Sequence, residues 1–181
     1  MTTTPWQRRL QREVLVNVGT NVAANGAIAW LLFRDTTTIS LWKADASFGY
    51  DMLATGVILA VILGMILIPL QRRALAKTPE LLEGFSSDSL PTSPWDFGVL
   101  AYRPIPFQLI IYGLSGLLIA LATLLVFSIS GLTTLTPLHY SVFKGVWTGV
   151  LAGLVTRQII VRSTLDLLRQ NAFSERRSIP L

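Results

Sequence analysis

Val14 to Phe33 reads VLVNVGTNVAANGAIAWLLF, a run without a single charged residue. A helix needs about 20 predominantly apolar residues to cross about 30 Å of hydrocarbon, and this run has that length. It also carries Asn17, Asn21 and Asn25, each four residues from the last. Successive members lie about 40° apart around a helix, so they form one slowly drifting stripe about 12 Å long. Thr20 borders the stripe, and Gly19, Ala23 and Gly26 keep the neighbouring surface thin. An amide facing lipid would be an unmet polar group costing several kcal/mol. The stripe is therefore expected to face protein or water. Two readings are open: the amides bond across to other helices, at about 0.6 kcal/mol each, or they line a polar path for a solute or ion.

Three more apolar runs follow, at about Met52–Leu70, Phe107–Ser130 and Tyr140–Ile160. Half of the 181 residues are hydrophobic (51%), 14% are charged, and the mean hydropathy is +0.55. Soluble domains carry roughly 25% charged residues. The expected fold is all-α, with four transmembrane helices in an antiparallel bundle, because lipid forces each backbone to satisfy itself. The low-charge runs form one domain. A Ser/Pro-containing loop fills 71–106, and a tail that continues as an amphipathic helix occupies 161–181. Within the loop, residues 74–84 suit a short helix, and Trp95, Phe97, Leu100, Tyr102 and Phe107 suit the membrane surface.

Cations give the orientation. The N-terminal tail, the 71–106 loop and the C-terminal tail, with Arg157 at the end of helix four, hold 12 of the 15 Lys and Arg, leaving Arg34, Lys43 and Lys144 on the other side. Positive charge stays inside, so both termini are expected in the cytoplasm, in the inner (plasma) membrane of a cell. Trp6, Trp95 and Tyr102 then mark the inner interface, and Trp30, Trp42, Tyr50 and Tyr140 the outer one. A cleaved signal peptide fits poorly, since polar residues interrupt the apolar stretch and apolar residues run on past Ala27-Ile28-Ala29. The net charge of +5 is accounted for by orientation, so no nucleic-acid partner is expected.

Small residues come next. Gly145, Gly149 and Gly153 repeat every fourth position in helix four, and Gly56, Ala60 and Gly64 make a related row in helix two. Such rows let helix backbones approach closely in lipid, within one chain or between chains. The two helices also match in sequence: Thr55-Gly56-Val57 with Thr148-Gly149-Val150, and Asp51 with Lys144. Asn25-Gly26 against Ser115-Gly116 is the one echo between helices one and three. A duplicated hairpin would produce this pattern, and so would chance among apolar segments. Asp51 and Lys144 are expected to pair, joining helix two to helix four, although Lys144 alone could snorkel to water. Helix three, with Tyr112 as its one ionisable residue, is expected to be the most lipid-exposed or most passively packed.

Catalytic chemistry is not indicated. The absence of cysteine removes disulfides, thiol catalysis and thiolate metal sites. His139 is the only histidine, too few for a metal centre. No P-loop, dinucleotide fingerprint, nucleophile elbow or HExxH motif is present. No metal or cofactor is expected.

NVAANGAIAWLLF (Asn21–Phe33) and FKGVWTGVLAGLVT (Phe143–Thr156) together resemble a group of small bacterial four-helix membrane proteins of unassigned function. The resemblance covers the apolar segments, implies a four-helix membrane fold and a bacterial source, and transfers no site residue. The expected function is non-catalytic: helix–helix association in the bilayer through the glycine row of helix four and the small-residue row of helix two, as a homo-oligomer or as an accessory subunit of another membrane protein. The rival is a small oligomeric transporter or channel, its path lined by the asparagines with Asp51, Thr55, Lys144 and Thr148.

Overall fold

A computed structural model describes residues 4–43, 46–77 and 104–177, with side chains as far as Leu167, Asp166 excepted. The described chain is all-helical apart from one short ribbon: α1 (Pro5–Phe33), β1 (Ile39–Ser40), α2 (Phe48–Lys77), α3 (Ile105–Ile129), β2 (Thr134–Leu135) and α4 (Pro137–Arg177). Most of the 71–106 loop, including Trp95, Phe97, Leu100 and Tyr102, lies outside the described residues. So does the end of the tail beyond Arg177.

Local chemistry sets the helix ends. Thr4 and Gln7 form a reciprocal capping box at the start of α1, with Pro5 in its first turn. Thr136 caps α4, where its hydroxyl oxygen accepts from the His139 N–H and stands 2.6 Å from His139 Nδ1. At the end of α3, Leu132 N–H bonds Phe127 C=O and Gly131 N–H bonds Ser128 C=O. This Schellman closure needs a left-handed residue, and Gly131 supplies it with φ +73°. Pro69 sits inside α2, where it removes one ladder donor.

Three helices, α1, α2 and α3, are long and apolar enough to cross a membrane. α4 is the longest element at 41 residues but is not among them. Lys144, Thr148, Thr156 and Arg157 interrupt its apolar run. It runs on as one helix to Arg177, through the stretch expected to continue as a helix.

The main contacts pair α1 with α4, α2 with α3, and α2 with α4. Gly26 lies by Gly145 while Val14 lies by Gly153, so α1 and α4 run in opposite directions. Gly56 by Gly116 and Gly64 by Leu109 give the same sense for α2 and α3. α2 and α4 run in parallel: Met52 packs with Tyr140 in one core cluster, and Leu63 and Leu67 pack with Leu151 and Ile159 in another. The ribbon pairs Ile39 with Leu135 and Ser40 with Thr134, tying the α1–α2 connection to the α3–α4 connection. Below it, Phe48, Tyr140, Phe127, Phe143 and Phe33 meet largely edge to face.

α3 is not the most exposed helix. Tyr112 and Ala120 are buried, and Trp147 Nε1 reaches across from α4 to Thr123 Oγ1 at 3.1 Å. The most exposed is α1, with only 6% of its apolar window buried against 33% for α2 and 28% for α3.

Candidate functional site

The charges expected to pair do meet. Lys144 Nζ donates to Asp51 Oδ2 across 2.5 Å, and the Lys144 side chain is only 3% exposed. Each residue stands near the start of its helix, and parallel α2 and α4 bring those starts side by side. Tyr140, one turn before Lys144, donates its hydroxyl to the same carboxylate oxygen. Thr55, one turn after Asp51, donates to Oδ1 at 3.4 Å. Tyr140 was expected at the outer interface but is fully buried. Its spacing of four from Lys144 was the available signal, since such residues share a helix face. The cluster holds a buried cation with its anion and two hydroxyls, which is the condition for tolerating charge in a low-dielectric interior.

The asparagines do something neither reading described. Asn17 Nδ2 donates to the Glu13 carbonyl at 3.0 Å, Asn21 Nδ2 to the Asn17 carbonyl at 2.8 Å, and Asn25 Nδ2 to the Asn21 carbonyl at 3.2 Å. Each amide bonds back one turn along its own helix. Asn21 is buried, Asn17 and Asn25 are half-buried, and Thr20 points away from the bundle. The contact across to α4 uses backbone: Thr148 Oγ1 lies 3.3 Å from the Asn21 carbonyl, as well as bonding the Lys144 and Gly145 carbonyls of its own helix.

Both small-residue rows are consumed inside the chain. A Cβ at Gly145 would stand 2.7 Å from the Val22 carbonyl oxygen, and one at Gly153 2.8 Å from Val18 Cγ2. Gly149 has Val18 and Val22 against it in the same way. On α2, a Cβ at Gly56 would lie 2.7 Å from the Gly116 carbonyl, and one at Gly64 2.7 Å from Leu109 Cδ2. Ala60, fully buried, sits beside Gly116. Gly26 crosses at Gly145 and Gly116 at Gly56. Because the sequence match pairs Gly56 with Gly149, the two crossings differ by one turn.

Two further features escaped the sequence reading. At the far end from the ribbon, Glu13 accepts from Arg9 Nε at 2.8 Å and from the Gln71 amide, and Arg9 Nη2 reaches Gln71 Oε1 at 3.2 Å. This joins α1 to α2. Beside it Arg162 Nη1 lies 3.4 Å from the Tyr112 hydroxyl, and Trp6 Nε1 lies 3.4 Å from Thr164 Oγ1. The other feature is the back of α1. Gly19, Ala23 and Ala27, with Thr20 and Ala24 beside them, are all exposed, and a Cβ at Gly19 would meet nothing within 4 Å. Gly19 and Ala23, expected to thin the surface beside the asparagine stripe, instead lie with Ala27 on an exposed face of their own.

Comparison with family models, with characterised proteins and with solved structures finds no match.

Proposed function

We propose that this chain is a non-catalytic, multi-pass membrane protein that acts through helix–helix association, with the back of α1 as its docking face. One observation carries this reading. Of the three helices apolar enough to span, α1 is the least apolar, with mean hydropathy 1.3 against 2.7 and 2.5, and also the least covered. A helix built for lipid contact would show the opposite. The exposed Gly19–Ala23–Ala27 row supplies the thin surface on which a second helix packs closely in a bilayer. α4 is taken as a fourth span whose charge is neutralised by Asp51, and the excess of cations beside both termini supports a cytoplasmic position for them. The occupant is either a second copy of this chain or a foreign subunit for which this chain is an accessory. The glycine rows of α2 and α4 are not the docking surface, since helices of the same chain occupy them. The asparagine row, satisfied along its own helix, serves α1 packing rather than a solute path.

Native mass spectrometry of protein released gently from its membrane tests the proposal. A complex of two copies, or one with a stoichiometric foreign subunit, is expected for the natural sequence. It should be lost in Ala23→Trp with the thermal midpoint unchanged. A monomer in both cases would overturn the reading.

A further inference from the structure

We infer that the end of the bundle opposite the ribbon binds anionic phospholipid headgroups through a collar of exposed cations. Arg8, Arg12, Arg73, Lys77 and Arg157 are all exposed, and among the described residues none of them forms an ion pair. They come from three helices that fixed contacts hold in register. Gly153 lies against Val14 and Val18, while Trp6 bonds Thr164, so Arg157 is level with Arg12 on α1. Gln71 bonds both Arg9 and Glu13, which sets Arg73 and Lys77 at the level of the first turns of α1. The five cations therefore fall within about 10 Å along the bundle axis.

Among the side chains the structure describes, Glu13 is the one carboxylate at this end, and Arg9 and Gln71 already occupy it. The collar lies just beyond the charge-free run that starts at Val14, which is headgroup depth for a helix spanning the hydrocarbon. Clustered Lys and Arg at that depth attract anionic lipid, at about fivefold in affinity per charge. Orientation alone would require cations on this side. It would not require them to be gathered at one level and exposed, with no acid partner among the described residues.

The test uses the full chain, delipidated in neutral detergent and titrated with phosphatidylglycerol, phosphatidylcholine or inorganic phosphate, with retained lipid read by native mass spectrometry. Phosphatidylglycerol should be held in preference to phosphatidylcholine. Arg8→Gln/Arg12→Gln/Arg157→Gln should lose that preference by on the order of a hundredfold, whereas the Lys versions of the same three keep it. Arg34→Gln/Lys43→Gln, at the other end, should leave it intact. The single Arg157→Gln change, losing about fivefold, serves if the triple variant misfolds. Equal retention of the two lipids, or equal loss in the Arg34/Lys43 control, would overturn the proposal. Displacement of phosphatidylglycerol by equimolar inorganic phosphate would reduce it to a free-anion site and overturn the lipid assignment.

Discussion

Asp51 and Lys144, 93 positions apart in the chain, share a 2.5 Å contact beneath the ribbon, with Tyr140 bonded to the same carboxylate. Removing one member leaves the other buried and uncompensated. Lys144→Met alone should cost about 3 kcal/mol, as breaking a buried pair typically does. The double change Asp51→Asn/Lys144→Met should recover more than half of that, because no unpaired charge remains. Thermal unfolding in detergent of the two single variants and the double variant checks this. An additive double variant would mean that the pair is energetically uncoupled.

Gly149 lies against Val18 and Val22, with no space for a side chain. Gly149→Leu should force α1 away from α4 and destabilise the chain by about 1–3 kcal/mol, the usual cost of overpacking. Because the contact is within one chain, Gly149→Leu held well below its lowered thermal midpoint should still form its complex, unlike Ala23→Trp. The two variants together separate an internal seam from a docking face.

The amides of α1 bond to their own helix, so truncating them should be cheap. Asn17→Leu should change stability by less than about 1 kcal/mol, within the range of single polar contacts in bilayers. Asn21→Leu should cost more, since Asn21 is the buried member and lies beside Thr148. A transport path would instead show loss of solute flux with an intact fold, which flux measurements on the triple leucine variant would reveal.

Gly131 holds φ at +73° to close α3. Gly131→Ala should cost about 1 kcal/mol from backbone strain alone, because a Cβ there would meet no neighbour. A much larger loss, measured by thermal unfolding, would show that the ribbon depends on this turn more than its packing implies.

The helices were legible because twenty-residue apolar runs have few other uses. Their ends were not: α1 starts at Pro5 and α2 continues to Lys77, since a helix does not stop where the hydrocarbon does. The Asp51–Lys144 contact was readable from matched positions on two parallel helices. Tyr140 was missed because an aromatic at a span boundary also fits the interface. Relative exposure of the helices was misread for a physical reason. Apolarity tells which helices tolerate lipid, but coverage depends on where glycines allow contact, and Gly116 gives α3 such a place. The self-bonded amides were unreadable from spacing, since the same interval of four serves an interhelical stripe and a bond to the carbonyl one turn back.

The pairing of α1 with α4 has a consequence for biosynthesis. α1 is made before the other described helices, yet its main partner α4 is made after them, while α2 and α3 are neighbours in the chain and meet early. Until Gly145–Gly153 emerges, the Val14–Val22 face of α1 has no glycine groove to enter. The least apolar of the three candidate spans therefore waits for its partner, and its packing is timed by translation of α4 (Pro137–Arg177). Ribosome stalling just before residue 145 should trap α1 in prolonged association with the insertion machinery.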